Sequence, residues 1–273
     1  MSPPTAAGLD EVTAVFQQCR SQGRAALVGY LPAGYPSVQG GVEAMAAMVD
    51  AGVDLVEVGL PYSDPLMDGP VIQRAVDGAL RTGTTTADVL HTVEALAGRG
   101  ATALVMSYWN PVERYGAAQF AADLASAGGG GMITPDLIPD EADAWLAAAR
   151  QHGLASVFLV APSSTDERLA MTAKACTGFV YAASTMGVTG TRDRVGTAAQ
   201  ALVTRTRTVT DLPIGVGLGV STREQAAEVA GFADGVIVGS ALVRRLLEAD
   251  TPHGGLRALA ELTAELAAGV RDR

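Results

Sequence analysis

The 273-residue sequence predicts an α/β fold: a closed (β/α)8 TIM barrel with an extra helix ahead of the first strand. Three observations carry that prediction. Short β-branched runs alternate with Ala-rich amphipathic stretches along the whole length, and such alternation builds a parallel sheet. The strand candidates are apolar almost throughout, as strands covered on both faces must be. Eight repeats in roughly 250 residues match a closed barrel better than an open sheet. An open doubly wound sheet is the alternative, but Ala33-Gly34-Tyr35-Pro36 after the first strand lacks its Gly-x-Gly-x-x-Gly fingerprint.

The elements follow in order. A helix over 9–22 precedes strands at 25–30, 53–58, 103–107, 131–134, 156–160, 179–182, 213–216 and 235–238. Each strand candidate is short, mostly apolar and bounded by turn-forming residues. Helices over 37–51, 86–99, 117–126, 140–152, 165–175, 197–208 and 222–230 place apolar residues at helical spacing. Most of them begin at a Ser, Thr or Asp that can accept a first-turn N–H. Ser240 is placed to cap a short helix, and a last helix covers 255–269. No linker or shift of composition divides the chain. We therefore read 1–273 as a single domain: an N-terminal extension and helix over 1–23, the barrel over 24–250 and a C-terminal helix over 251–273.

Hydrophobic residues make up 48% of the chain and the net charge is −10. The first supplies a core, and the second argues against nucleic acid and anionic membrane surfaces as partners. The apolar runs are too short to cross a bilayer, and no basic flank precedes an apolar core at the N-terminus. A cytoplasmic protein without a membrane segment is expected. Cys19 and Cys176 share no spacing motif and read as reduced structural thiols.

A barrel concentrates function where its strands end and its loops begin, and the unusual residues fall there. The second strand carries Glu57 near its end. Burying a charged glutamate among apolar neighbours costs several kcal/mol, so such a residue is either paired or at work. The loop behind it adds Asp64 and Asp68 between prolines and glycines. Asp64, within Ser63-Asp64-Pro65, reads as a loop-shaping residue that bonds the local backbone. After strands seven and eight come Gly215-Val216-Gly217-Leu218-Gly219 and Val238-Gly239-Ser240. Glycines here let backbone N–H groups approach a phosphate at a helix N-terminus, although two tight turns would need Gly as well. The small-residue loop after strand six holds Gly187, Thr189 and Gly190. It has the composition of a closing loop, or of a plain surface loop.

The run Val56-Glu57-Val58-Gly59-Leu60-Pro61-Tyr62-Ser63-Asp64-Pro65-Leu66-Met67-Asp68-Gly69-Pro70, with Gly187-Val188-Thr189-Gly190, resembles the signature of tryptophan synthase α subunits. The resemblance extends over about 30–244. It implies retro-aldol cleavage of indole-3-glycerol phosphate to indole and glyceraldehyde 3-phosphate, with Glu57 and Asp68 as the catalytic pair. It implies a phosphate site at Gly190, Gly219, Gly239 and Ser240, and an indole pocket lined by Tyr30, Met106, Tyr108, Ile133, Phe158, Tyr181 and Leu218. For each pocket residue, ordinary core packing is the competing reading. Asp64, Gly187 and Thr189 fall on the family's mobile loops, and Asp136 resembles an aspartate that positions them. Tyr30, Met67, Thr185 and Leu218 differ from residues common in the family.

The resemblance further implies a β subunit as partner in an α2β2 assembly, with pyridoxal phosphate on that partner and no cofactor or metal on this chain. The contact surface would include 63–67, 108–112 and 136–140, stiffened by Pro61, Pro65, Pro111, Pro135 and Pro139. Composition bears on the chemistry independently. Lys174 is the only lysine and falls on a helix, and His91, His152 and His253 share no ligand spacing. Carbon–carbon cleavage here would thus fall to carboxylates. Another sugar-phosphate barrel enzyme would share the glycine loops, and a non-catalytic relative would be expected to have lost Glu57 or Asp68.

Overall fold

All eight apolar runs are parallel strands in the computed structural model, which describes residues 8–184 and 195–272. The strands are β1 (Ala26–Pro32), β2 (Leu55–Gly59), β3 (Ala103–Met106), β4 (Gly131–Thr134), β5 (Ala155–Val160), β6 (Val180–Ala183), β7 (Ile214–Gly217) and β8 (Gly235–Val238). Each pairs with the next and β8 returns to β1, so the sheet closes into the expected barrel. Alternation along each strand then sorts the side chains. Val28, Leu55, Leu104, Ile133, Val157, Phe179 and Ile237 fill the inside. Leu27, Val56, Val105, Met132, Val180 and Val236 pack outward in the layer beneath the helices.

The extra helix α1 (Gly8–Ser21) closes the floor. Its Val12, Phe16 and Cys19 join the interior cluster, and the Phe16 ring packs on Phe179 at 5.2 Å. The outer ring comprises α2 (Val38–Asp50), α3 (Pro70–Arg81), α4 (Thr86–Ala97), α5 (Trp109–Tyr115), α6 (Ala117–Ser126), α7 (Asp143–His152), α8 (Asp166–Ala175), α9 (Val195–Arg207), α10 (Arg223–Ala230), α11 (Ser240–Leu247) and α12 (Pro252–Gly269). Ser37, Thr85, Thr165, Thr222 and Thr251 each accept a first-turn N–H, and Thr85 completes a capping box with Asp88.

The sequence reading missed α3 and α5 and misplaced one cap. Helix α3 opens at Pro70 behind Gly69 with no side-chain cap, so its start looks like more of the Pro- and Gly-rich loop. The seven residues of α5 include Pro111 in the first turn, where no intrahelical N–H is lost. At α11, Gly239 is the cap and Ser240 the first helical residue, making no capping bond.

The floor of the barrel is pinned by ion pairs just ahead of the strands. Arg24 holds both carboxylate oxygens of Asp54 at 2.7 Å, and Asp54 also accepts the Leu27 N–H at 2.8 Å. Asp234 accepts the Ile214 N–H at 3.0 Å and pairs with Arg207 at 2.9 Å. Cys19 and Cys176 are both buried and free. Among the described residues no helix is long and apolar enough to cross a membrane.

Candidate active site

The opposite end of the barrel is built from the last inward-facing position of several strands. Tyr30 on β1 pairs in register with Glu57 on β2, and Glu57 with Leu104 on β3. Leu55 faces inward, so Glu57 two residues later must face inward too. There it is 1% exposed, and its Oε1 has no hydrogen-bond partner. Burial pushes the Glu57 carboxyl from its ordinary 4.5 to about 8, so at neutral pH it is mostly protonated.

Asp68 stands on the loop between β2 and α3. It is half-buried, which raises its carboxyl above the usual range, while a hydrogen bond with the Tyr108 hydroxyl acts the other way. That hydroxyl also accepts the Met67 N–H at 2.9 Å, and burial pushes it up to about 12. Tyr108 thereby ties the loop after β2 to the end of β3. The Tyr62 ring leans on it at 5.4 Å, and Gln73 Nε2 donates to the Asp68 carbonyl at 2.8 Å. One loop further on, Asp136 accepts the Trp109 N–H at 2.9 Å, which fits the expected positioning role. Asp64 differs from expectation: its partner is the Ser63 hydroxyl at 2.6 Å, on an exposed stretch, rather than local backbone.

Two further tyrosines complete the mouth. Tyr30 and Tyr181 are held well above the usual tyrosine range, first by burial and then by the negative charge of Asp68 and Glu57. Both carboxylates and both hydroxyls therefore surround one space. Glycines make the room. A Cβ on Gly59 would lie 2.5 Å from the Tyr30 hydroxyl, one on Gly239 would lie 3.3 Å from the same ring, and one on Gly217 would lie 2.5 Å from the Tyr181 hydroxyl. Gly239 thus also accommodates Tyr30.

The remaining expected residues divide by strand phase. Met106 and Ile133 face inward and pair in register on β3 and β4. Leu218 is buried just beyond β7. Phe158 does not line the mouth: it packs outward beneath the helices, because Val157 and not Phe158 shares the inner face. The inward residue at that level is Leu159, in register with Tyr181. Counting alternation from Val157 would have found it.

On the phosphate side, Gly219 takes a left-handed turn at φ +76 after β7, and Gly239 opens α11 at the neighbouring strand end. Gly219, Gly239 and Ser240 thus stand at the ends of two adjacent strands, where α11 begins. Gly187, Thr189 and Gly190 lie outside the described residues. Among the described residues no three His, Cys, Asp or Glu side chains gather as a metal site would need.

With this geometry in hand, comparison with known proteins is specific. The family described as tryptophan synthase alpha chain matches residues 16–271. The tryptophan synthase alpha chain of Acidothermus cellulolyticus is 62% identical over 258 residues, covering 94% of this chain and 95% of that one. That of Mycobacterium avium is 62% identical over 259 residues, covering 95% and 94%. A crystal structure of tryptophan synthase from M. tuberculosis in its aminoacrylate-bound form superposes with a TM-score of 0.88 at 57% identity, covering 95% of this chain and 99% of that one. The tryptophan synthase subunit alpha of Legionella pneumophila still reaches 0.87 at 32% identity, covering 96% and 99%. The chain belongs to the tryptophan synthase alpha chain family.

Proposed function

We propose that this chain cleaves indole-3-glycerol phosphate to indole and glyceraldehyde 3-phosphate. The observation that carries the reading is Glu57, a carboxyl kept protonated by burial at the end of a barrel strand, with Asp68 facing the same space. The bond between indole C3 and the side chain breaks only after C3 is protonated, because the ring must take up the electron pair. Glu57 gives its proton to C3. Asp68, on its wetter loop, pairs with the ring N–H as positive charge develops there. The Glu57 carboxylate so formed takes the proton of the adjacent side-chain hydroxyl. The carbon–carbon electrons return to the ring, the aldehyde forms, and Glu57 ends protonated as it began.

Gly219, Gly239 and Ser240 would hold the phosphate, with Gly190 as a fourth contact. Tyr30, Met106, Tyr108, Ile133, Leu159, Tyr181 and Leu218 would enclose the indole. A tryptophan synthase β subunit, the expected carrier of pyridoxal phosphate, would receive the indole for L-tryptophan synthesis. Purified chain given indole-3-glycerol phosphate should release indole and glyceraldehyde 3-phosphate in equal amounts. Release of neither, with β subunit present, would contradict the proposal.

A further inference from the structure

Among the described residues three polar groups at the barrel mouth have no hydrogen-bond partner, Glu57 Oε1 and the hydroxyls of Tyr30 and Tyr181, and two of them stand on adjacent strands. Tyr30 and Glu57 pair in register on adjacent strands and both face inward. The Tyr30 hydroxyl hangs over Gly59, two residues beyond Glu57 on the same face of β2, and its ring rests against Gly239. Glu57 Oε1 is buried without a hydrogen bond. The Tyr30 hydroxyl makes none with any described residue, whereas the Tyr108 hydroxyl is already engaged by the Met67 N–H. The groups that share the space are Asp68 from the loop after β2, Tyr108 from the end of β3 and Tyr181 from β6. Among the described residues no cation faces Glu57.

We propose that Tyr30 is a positioning residue for Glu57: its O–H donates a hydrogen bond to the Glu57 carboxylate once that group has given up its proton. A carboxylate formed in an apolar strand end needs a donor, and no Lys, Arg or His in the described residues reaches it. Tyr30 and Tyr181 both feel the charge of Glu57, and Tyr30 is the one whose strand pairs with that of Glu57, residue against residue. A donor aimed at the charged form lowers the proton affinity of the acid and eases its ionisation in the reaction. Tyr30 therefore does more than wall the indole pocket, and a phenylalanine there would keep the wall and lose the donor.

This inference rests on the proposed role of Glu57, and its test reads Glu57 directly. Carboxyl NMR of the 13C-glutamate-labelled, substrate-free chain, with the Glu57 signal assigned by its loss in Glu57→Gln, gives the titration midpoint. Tyr30→Phe should raise that midpoint by roughly one to two pH units, the worth of one hydrogen bond to a charged group. It should also lower kcat about tenfold with a smaller change in KM. Gly59→Ala keeps the hydroxyl but pushes it aside, and should raise the midpoint in the same direction. An unmoved midpoint in Tyr30→Phe overturns the inference, even if KM changes. Failure of the underlying reading would show separately, as a Glu57→Gln chain that still releases indole.

Discussion

Glu57 links stability to pH as well as chemistry. Its folded proton affinity is raised, so the folded chain binds a proton that the unfolded chain releases above about pH 4.5. The stability this contributes is fully present below 4.5 and is lost as pH rises to about 8. At about 1.4 kcal/mol per pH unit the loss is on the order of 5 kcal/mol. Urea denaturation should show wild type weakening by several kcal/mol between pH 5 and 8, and Glu57→Gln weakening much less. Equal slopes for the two would mean that Glu57 does not titrate as described. At the same scale, Tyr108→Phe removes the acceptor of the Met67 N–H and the donor to Asp68. It should cut kcat/KM about tenfold, on the order of one lost charge-assisted hydrogen bond, with little change in melting temperature. Glu57 was legible in the sequence because a carboxyl in an apolar strand end stands out by type alone, whereas Asp68, on the loop behind it, was singled out only through the likeness of residues 56–70 to a known signature. Phe158 was misread because apolar composition does not fix which phase of a strand faces inward; one residue either way exchanges the faces.

The elements divide labour between the two ends of the barrel. The floor is held by Arg24–Asp54 and Arg207–Asp234, whose aspartates also cap strand-edge N–H groups. Arg24 and Asp54 are 8% and 15% exposed, so breaking the pair strands a buried guanidinium. Asp54→Ala should destabilise the fold by about 3–5 kcal/mol in denaturant titrations, while kcat per folded molecule stays near wild type. A large fall in kcat at full stability would tie the floor to the chemistry, contrary to this division. All eight strands were legible from their apolar runs, as were most helices, several of them from a Ser or Thr cap followed by apolar residues at helical spacing. Helices α3 and α5 were not. Both start beside prolines within the loops that serve the site, so local composition there answers to the loop first.

At the scale of the molecule, the rim above the site carries exposed apolar side chains that no described residue covers. Leu66 is 90% exposed, Met67 58% and Ile138 41%, on the loops after β2 and β4. Tyr108 and Asp136 hold those loops in place through main-chain hydrogen bonds. A rim so fixed is prepared for docking at low ordering cost, which fits the proposed β partner. Leu66→Asp should weaken association with the β subunit at least tenfold in calorimetric titration, an effect typical of a desolvated contact, without lowering the melting temperature. Unchanged affinity would move the contact elsewhere. Partner and substrate were legible only through the likeness of residues 56–70 to a known signature; barrel geometry and charge alone point to a phosphate-binding enzyme and no further.

The central claim is that Glu57 moves the protons of a retro-aldol cleavage. Indole release from indole-3-glycerol phosphate, measured for wild type and Glu57→Gln with and without the matching β subunit, tests it most directly. Wild type should release indole, faster with β present. Glu57→Gln should fold normally and lose a factor of about 100 to 10,000, the usual worth of general acid–base catalysis. A folded Glu57→Gln chain that keeps near wild-type turnover would contradict the account at its root.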